Sequence, residues 1–245
     1  MIRIGVLSPH AAIGPEAEFP EMAPGRLVTR VARVSTQAVG IDVEKAPTTP
    51  FAARMWTAPP LLDDAAELLA ADSVDVIGYA STSSGYVIGF DEETAMATRL
   101  SQRAGIPVAA TCVSAVLAIR ALGVNGIALV DPPWFDDELN ELGAAYFRNQ
   151  GVEVVSSVSA DLSQDPRLVE PGAVFEWTSR HVPDDADAVF IGGNGFRAAG
   201  AIDALEATIG RLVLTSNQVL LWNLLALAGA TFHVTGYGQL FAHRP

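Results

Sequence analysis

Two short loops hold most of the polar groups that this sequence can bring to one place. The first, 80-ASTSSG-85, sets the hydroxyls of Ser81, Thr82, Ser83 and Ser84 beside a glycine. Hydroxyls both donate and accept, and the backbone N–H groups of such a loop can surround a carboxylate or an enolate oxygen. The second, 191-IGGNGFRAAG-200, carries no obvious acid, base or nucleophile. Its glycines and Asn194 can nevertheless cradle a small anion, and Arg197 can either anchor a carboxylate or brace the acidic 184-DDAD-187. The loop lacks the GxGxxG spacing and the early strand-helix unit of a dinucleotide site, and the chain has no Walker loop.

Other reactive side chains are scattered. Ser81 as a nucleophile would need a base, and there is no GxSxG elbow to support one. His10, His181, His233 and His243 have no metal-binding spacing; His10, in 8-SPHAAIG-14, follows the first apolar run and can reach a site at its end. Cys112, the one cysteine, opens a helical segment, where a thiol is either activated or simply a small buried hydrophobe. In 131-DPPWFDDELN-140, Trp134 or Phe135 can wall an apolar pocket or pack into the core, Asp136 or Asp137 can cap a helix, and Asp131 is a base only if desolvated.

The elements that must position these groups follow an α/β pattern. Apolar runs at 2–8, 74–80, 107–110, 126–130, 152–157, 187–192 and 212–215 read as strands, with 27–36 as a further strand or a surface edge. Helical spacing recurs at 61–71, 113–123, 136–147 and 201–210. Such apolar strands suit parallel sheets covered on both faces. The halves repeat one order: a strand, a small-residue loop, a helix, a strand ending near Thr, and an apolar helix. That order predicts two related lobes, 1–122 and 123–245, with a C-terminal segment free to cross back and the two loops facing a shared cleft.

Charge and composition narrow the partners. With 28 acidic against 15 Lys and Arg residues and a formal charge of −13, and no basic block, a phosphate backbone would be repelled; no nucleic acid is expected. The most apolar stretch, 212–230, includes Ser216, Asn217, Gln218 and Asn223, which fit a buried strand-to-helix passage better than a membrane span. One cysteine and an N-terminus unlike a signal segment make a cytoplasmic setting the expectation.

GVLSPHAAIG, IGYASTSSG, TCVSAVLAIRALG, DPPWFDD, FIGGNGFRAAGAID and LTSNQ, in this order, make the chain resemble the aspartate/glutamate racemase superfamily, especially its maleate isomerase and arylmalonate decarboxylase branch. The resemblance covers most of the chain and implies two pseudo-symmetric α/β lobes with the active site between them. Members of that family use cysteine in one or both central loops. Those positions match Ser81 and Gly193 here, so thiol-based proton transfer, racemisation and maleate isomerisation do not simply carry over. The resemblance further implies that Thr82 and Ser83 are first-loop donors, that Trp134 lies near a pocket tyrosine, and that Gly193 with Asn194 forms the opposing backbone cradle. 9-PHAA-12 is more similar to the decarboxylase branch than to the asparagine-bearing isomerase loop. The expected activity is a cofactor-independent lyase or decarboxylase acting on a small activated carboxylate such as a substituted malonate, with Ser81, His10 or water handling the proton. A hydrolase or isomerase using Ser81 or water, and a non-catalytic carboxylate-binding protein, are the alternatives. Homo-oligomerisation is left open.

Overall fold

In the computed structural model, which describes residues 1–9, 12–34 and 49–244, two four-stranded parallel sheets repeat one topology. The first contains β1 (Ile2–Ser8), β2 (Leu27–Arg33), β3 (Val76–Tyr79) and β4 (Val108–Ala110) in the order β2-β1-β3-β4. The second contains β5 (Gly126–Asp131), β6 (Glu153–Ser159), β7 (Ala188–Ile191) and β8 (Leu212–Thr215) in the matching order β6-β5-β7-β8. The inner strands explain the near-continuous apolar runs, because β3, β5 and β7 are buried at every residue. The strands β2 and β6, each at a sheet edge, are mostly half-buried or exposed, which settles 27–33 as an edge strand with Arg30 and Arg33 exposed.

Helices follow the strands: α1 (Pro15–Met22), α2 (Pro50–Met55), α3 (Leu61–Ala71), α4 (Thr82–Ala104), α5 (Thr111–Ala121), α6 (Asp137–Arg148), α7 (Pro171–His181), α8 (Ile202–Ile209) and α9 (Ser216–Leu227). Asp136 caps α6 by accepting from Leu139 N at 2.9 Å. At α9 the sequence TSNQ forms a capping box: Thr215 accepts from Gln218 N, and the Gln218 side chain accepts from Thr215 N. This box starts the helix at once after β8, so Ser216 and Asn217 stand in its first turn. Among the described residues no helix is long and apolar enough to cross a membrane.

The lobes are interlocked. From α4 in the first half, Tyr86 packs edge-on against Phe135 and Phe147 of the second, at centroid distances of 6.3 and 6.2 Å. From the second half, α9 crosses back onto the first sheet and α5. At that crossing a Cβ on Gly78 would come within 2.9 Å of the Leu224 side chain, so the helix lies directly against β3. Leu220, Leu221 and Leu224 of α9 are buried there, each contributing about 1.5–3 kcal/mol of hydrophobic stabilisation.

Candidate active site

The carboxyl ends of equivalent strands in the two sheets converge, and each delivers a polar first turn. β3 leads into Thr82 at the start of α4, β4 into Thr111 at the start of α5, β7 into Gly193 and Asn194, and β8 into Ser216 and Asn217 at the start of α9. Placement at strand ends and helix starts supplies N–H groups that have no partner within their own helix.

Ser81 is the N-cap of α4. Its backbone is extended, and its Oγ accepts from Ser84 N at 3.3 Å while donating to Ser84 Oγ at 2.8 Å. Ser84 in turn donates to Ala53 O, and the Tyr79 hydroxyl lies 3.0 Å from it. Among the described residues, the Ser81 hydroxyl is therefore held in a capping network that contains no imidazole or carboxylate. Ser83 has the looser hydroxyl, 3.5 Å from that of Ser81.

Thr82 meets the second lobe directly. Its N–H and its Oγ1 both lie 3.1 Å from Asn194 Oδ1 and donate to it. The same Oγ1 accepts from Gly193 N at 3.1 Å and lies 2.9 Å from Ser216 Oγ. Asn194 Nδ2 donates to Asn217 Oδ1 at 2.9 Å and to Thr111 Oγ1 at 3.2 Å, while the Thr111 hydroxyl donates to Tyr79 O at 3.0 Å. Thr82, Thr111, Asn194, Ser216 and Asn217 are all buried, so the two predicted loops face each other across a polar junction whose side chains bond to one another.

Gly193 has φ +84°, in the region that favours glycine, and a Cβ there would lie 2.8 Å from the Pro132 ring. Trp134 is half-buried and packs edge-on to Phe196 at 5.8 Å, which puts it beside the second loop. Thus Thr82, Gly193 and Asn194 are brought into one hydrogen-bonded group, Ser81 and Ser83 flank it, and Trp134 stands behind the loop. His10 lies outside the described residues. Arg197 does not brace the DDAD segment: it donates to Val169 O at 3.3 Å and lies 3.8 Å from the Glu170 carboxylate, while Arg211 pairs with Asp184.

Three buried carboxyls surround the junction, two of which carried no sequence signal. Glu18 of α1 accepts from Ala199 N at 2.8 Å and Asn217 Nδ2 at 2.6 Å; burial pushes its pKa up to about 7 against the pull of those two bonds. Glu93 of α4 caps the start of α5, accepting from Cys112 N at 3.1 Å and the Tyr146 hydroxyl at 2.5 Å, and burial raises it likewise to about 7. Asp131 ends β5 and accepts from the Tyr86 hydroxyl at 3.1 Å, its second oxygen having no partner among the described residues. Burial raises Asp131 to about 8, so it is mostly protonated at neutral pH. Glu18 and Glu93 sit among other glutamates in PEAEF and DEET, and nothing in their spacing marks the buried one.

Cys112 is fully buried, with its Sγ 3.4 Å from Thr82 O, and burial followed by the nearby Glu93 and Asp131 pushes its thiol well above the ordinary range. A thiol in that state is a poor nucleophile. Native protein at pH 8 should therefore resist alkylation by iodoacetamide, with stoichiometric labelling only after denaturation; rapid native labelling, read by intact mass, would contradict this packing. Among the described residues no group of three His, Cys, Asp or Glu side chains could hold a metal ion.

Comparison with known proteins agrees with this architecture. The sequence pattern that defines the arylmalonate decarboxylase family matches residues 34–241. The chain is similar to the arylmalonate decarboxylase of Bordetella bronchiseptica, 24% identical over 183 residues that make up 73% of this chain and 75% of that one. An unliganded arylmalonate decarboxylase structure superimposes with a TM-score of 0.80 at 21% identity, over 99% of both chains. The maleate isomerase of Pseudomonas putida S16, solved with maleate, gives 0.82 at 23% identity over 100% of this chain and 99% of that one.

Proposed function

The chain belongs to the arylmalonate decarboxylase family, and from that premise we propose that it is a cofactor-independent lyase that breaks a carbon–carbon bond in a small activated carboxylate, a substituted malonate being the prototype. One observation carries the reading: the N–H and hydroxyl of Thr82, at the start of α4, point at a single oxygen position between the lobes. Two convergent donors at a helix N-terminus in a water-poor setting are suited to an oxygen on which negative charge grows.

In the proposed reaction the bond between the α-carbon and one carboxylate breaks, CO2 leaves, and the electron pair spreads into the remaining carboxylate as an enediolate. Thr82 and Ser83 from the first loop, with the backbone of Gly193 and Asn194 from the second, hold the enediolate oxygens. Trp134 forms part of the apolar wall. A proton then adds to the α-carbon, delivered by Ser81, His10 or water, since neither loop carries a thiol.

The test is release of CO2 by the purified chain from malonate, methylmalonate and phenylmalonate without added cofactor. Turnover above the buffer rate is expected, with phenylmalonate fastest because its ring stabilises the carbanion. If Ser81 supplies the proton, Ser81→Ala should lower kcat while leaving KM nearly unchanged. Absence of carbon–carbon cleavage across the panel would sink the lyase reading. A non-catalytic carboxylate-binding protein is the second reading, favoured by the engagement of the Ser81 hydroxyl in helix capping. Malonate recovered unchanged after saturable binding would select it.

A further inference from the structure

We propose that the side chain of Asn194 is an internal occupant of the oxyanion position, one that a substrate carboxylate must displace. Asn194 thereby sets which ligands the site accepts. This rests on the carboxylate-binding reading above and deepens it.

A carboxamide offers one oxygen with two acceptor sites and one nitrogen with two donors. In this junction all four are used: Oδ1 takes the Thr82 N–H and Oγ1–H, and Nδ2 gives to Asn217 Oδ1 and Thr111 Oγ1. The side chain is as fully satisfied as an asparagine can be, and it is 2% exposed. The Thr82 donors that would hold a carboxylate oxygen are thus already engaged by an oxygen of the protein itself.

The second loop is anchored from the first lobe, so the occupant is held in place rather than merely resting there. Asn217 Nδ2 donates to Asn194 O at 2.9 Å and to Glu18 Oε2 at 2.6 Å, while Glu18 Oε1 accepts from Ala199 N farther along the same loop. A hydrogen-bonded path therefore runs from Glu18 through Asn217 and Asn194 to Thr82, spanning the junction twice.

Displacement is chemically reasonable for one class of ligand. A neutral amide oxygen is a weaker acceptor than a carboxylate, so an anion gains a charge-assisted bond where it replaces Asn194 at Thr82. A neutral ester or amide gains nothing by the exchange. The occupant therefore discriminates by charge: it yields to carboxylates and stays in place against their neutral analogues. The apparent affinity of any carboxylate is reduced by the fraction of molecules in which the carboxamide holds the donors.

The test compares malonate binding by calorimetry in the wild type, Asn194→Ala and Asn194→Asp, with thermal melting to establish that each is folded. Vacating the donors should tighten malonate binding by at least about tenfold in Asn194→Ala. Asn194→Asp keeps the shape and, measured at pH 9, above the values that burial gives the neighbouring Glu18 and Asp131, puts an anion on the same donors, so it should abolish malonate binding there. Adding Thr82→Val to Asn194→Ala should remove the gain. Equal or weaker malonate binding by folded Asn194→Ala, or wild-type binding by Asn194→Asp, would overturn the proposal while leaving a carboxylate site in place. If no folded protein in the series binds any small carboxylate, the carboxylate reading falls and this inference falls with it.

Discussion

Thr82→Val should reduce kcat/KM for decarboxylation by about 10²–10³-fold, the cost typical of losing one oxyanion donor. Valine preserves the β-branched shape at the start of α4, so the change removes chiefly the hydroxyl. That hydroxyl serves more than one partner, since it donates to the oxygen position between the lobes, accepts from Gly193 N and lies beside Ser216 Oγ. Leaving the Gly193 N–H without its acceptor costs a further ~1–3 kcal/mol of stability. The two consequences separate experimentally. If the donor matters most at the transition state, kcat falls more than KM rises, and the loss persists well below the melting temperature. A variant that melts earlier but turns over normally would show that Thr82 is only an inter-lobe tie.

Stability should fall as pH rises from about 4 to about 8, and Asp131→Asn should flatten the profile. An acid whose folded pKa is raised keeps its proton in the native state at pH values where the unfolded chain has lost it. The native state then binds more protons, so unfolding is favoured as pH increases. For Asp131 the window opens near its unfolded value of 3.8 and closes near 8. Across that window the loss is on the order of 5 kcal/mol. Glu18 and Glu93 add loss of the same sign between 4.5 and about 7. For a chain of this size 1 kcal/mol moves the melting temperature by about 2–4 °C, so Asp131 alone predicts a drop of roughly 10–20 °C from pH 4 to pH 8. The carboxamide introduced by Asp131→Asn cannot ionise, and the melting temperature of that variant should change with pH only as far as the remaining acids dictate. A wild-type profile that climbs toward pH 8, or an Asp131→Asn profile as steep as the wild type, would show that these carboxyls are ionised in the native state.

Much of the scaffold was legible because burial writes itself into composition. A strand covered on both faces has no solvent side, which is why 76–79 and 188–191 appear as unbroken apolar runs and why the repeated order of the halves shows through. The pairing of the ASTSSG and GGNG loops followed from that repeat and from the family resemblance. What occupies the space between them did not. Asn194 could be read as a polar residue in a glycine loop, but its partners Thr82, Thr111 and Asn217 come from separate parts of the chain, and only the fold brings four strand ends together. Glu18 and Glu93 illustrate the same limit. A glutamate on a short helix or in an acidic run reads as solvated, and its burial is decided by the neighbouring lobe or helix rather than by its own neighbours in sequence. Ser216 and Asn217 were intermediate: their position in an apolar run marked a passage from strand to helix, and the capping box at Thr215 and Gln218 gives the reason.

The turn at Gly193 limits what the second loop can carry. With φ +84° and the Pro132 ring 2.8 Å from where a Cβ would stand, the position suits a residue without a side chain. Gly193→Cys would strain the turn and crowd Pro132, so a thiol installed here should be tolerated better alongside a smaller residue at position 132. The geometry that seats the present junction thus keeps bulkier chemistry out of the loop's tightest point.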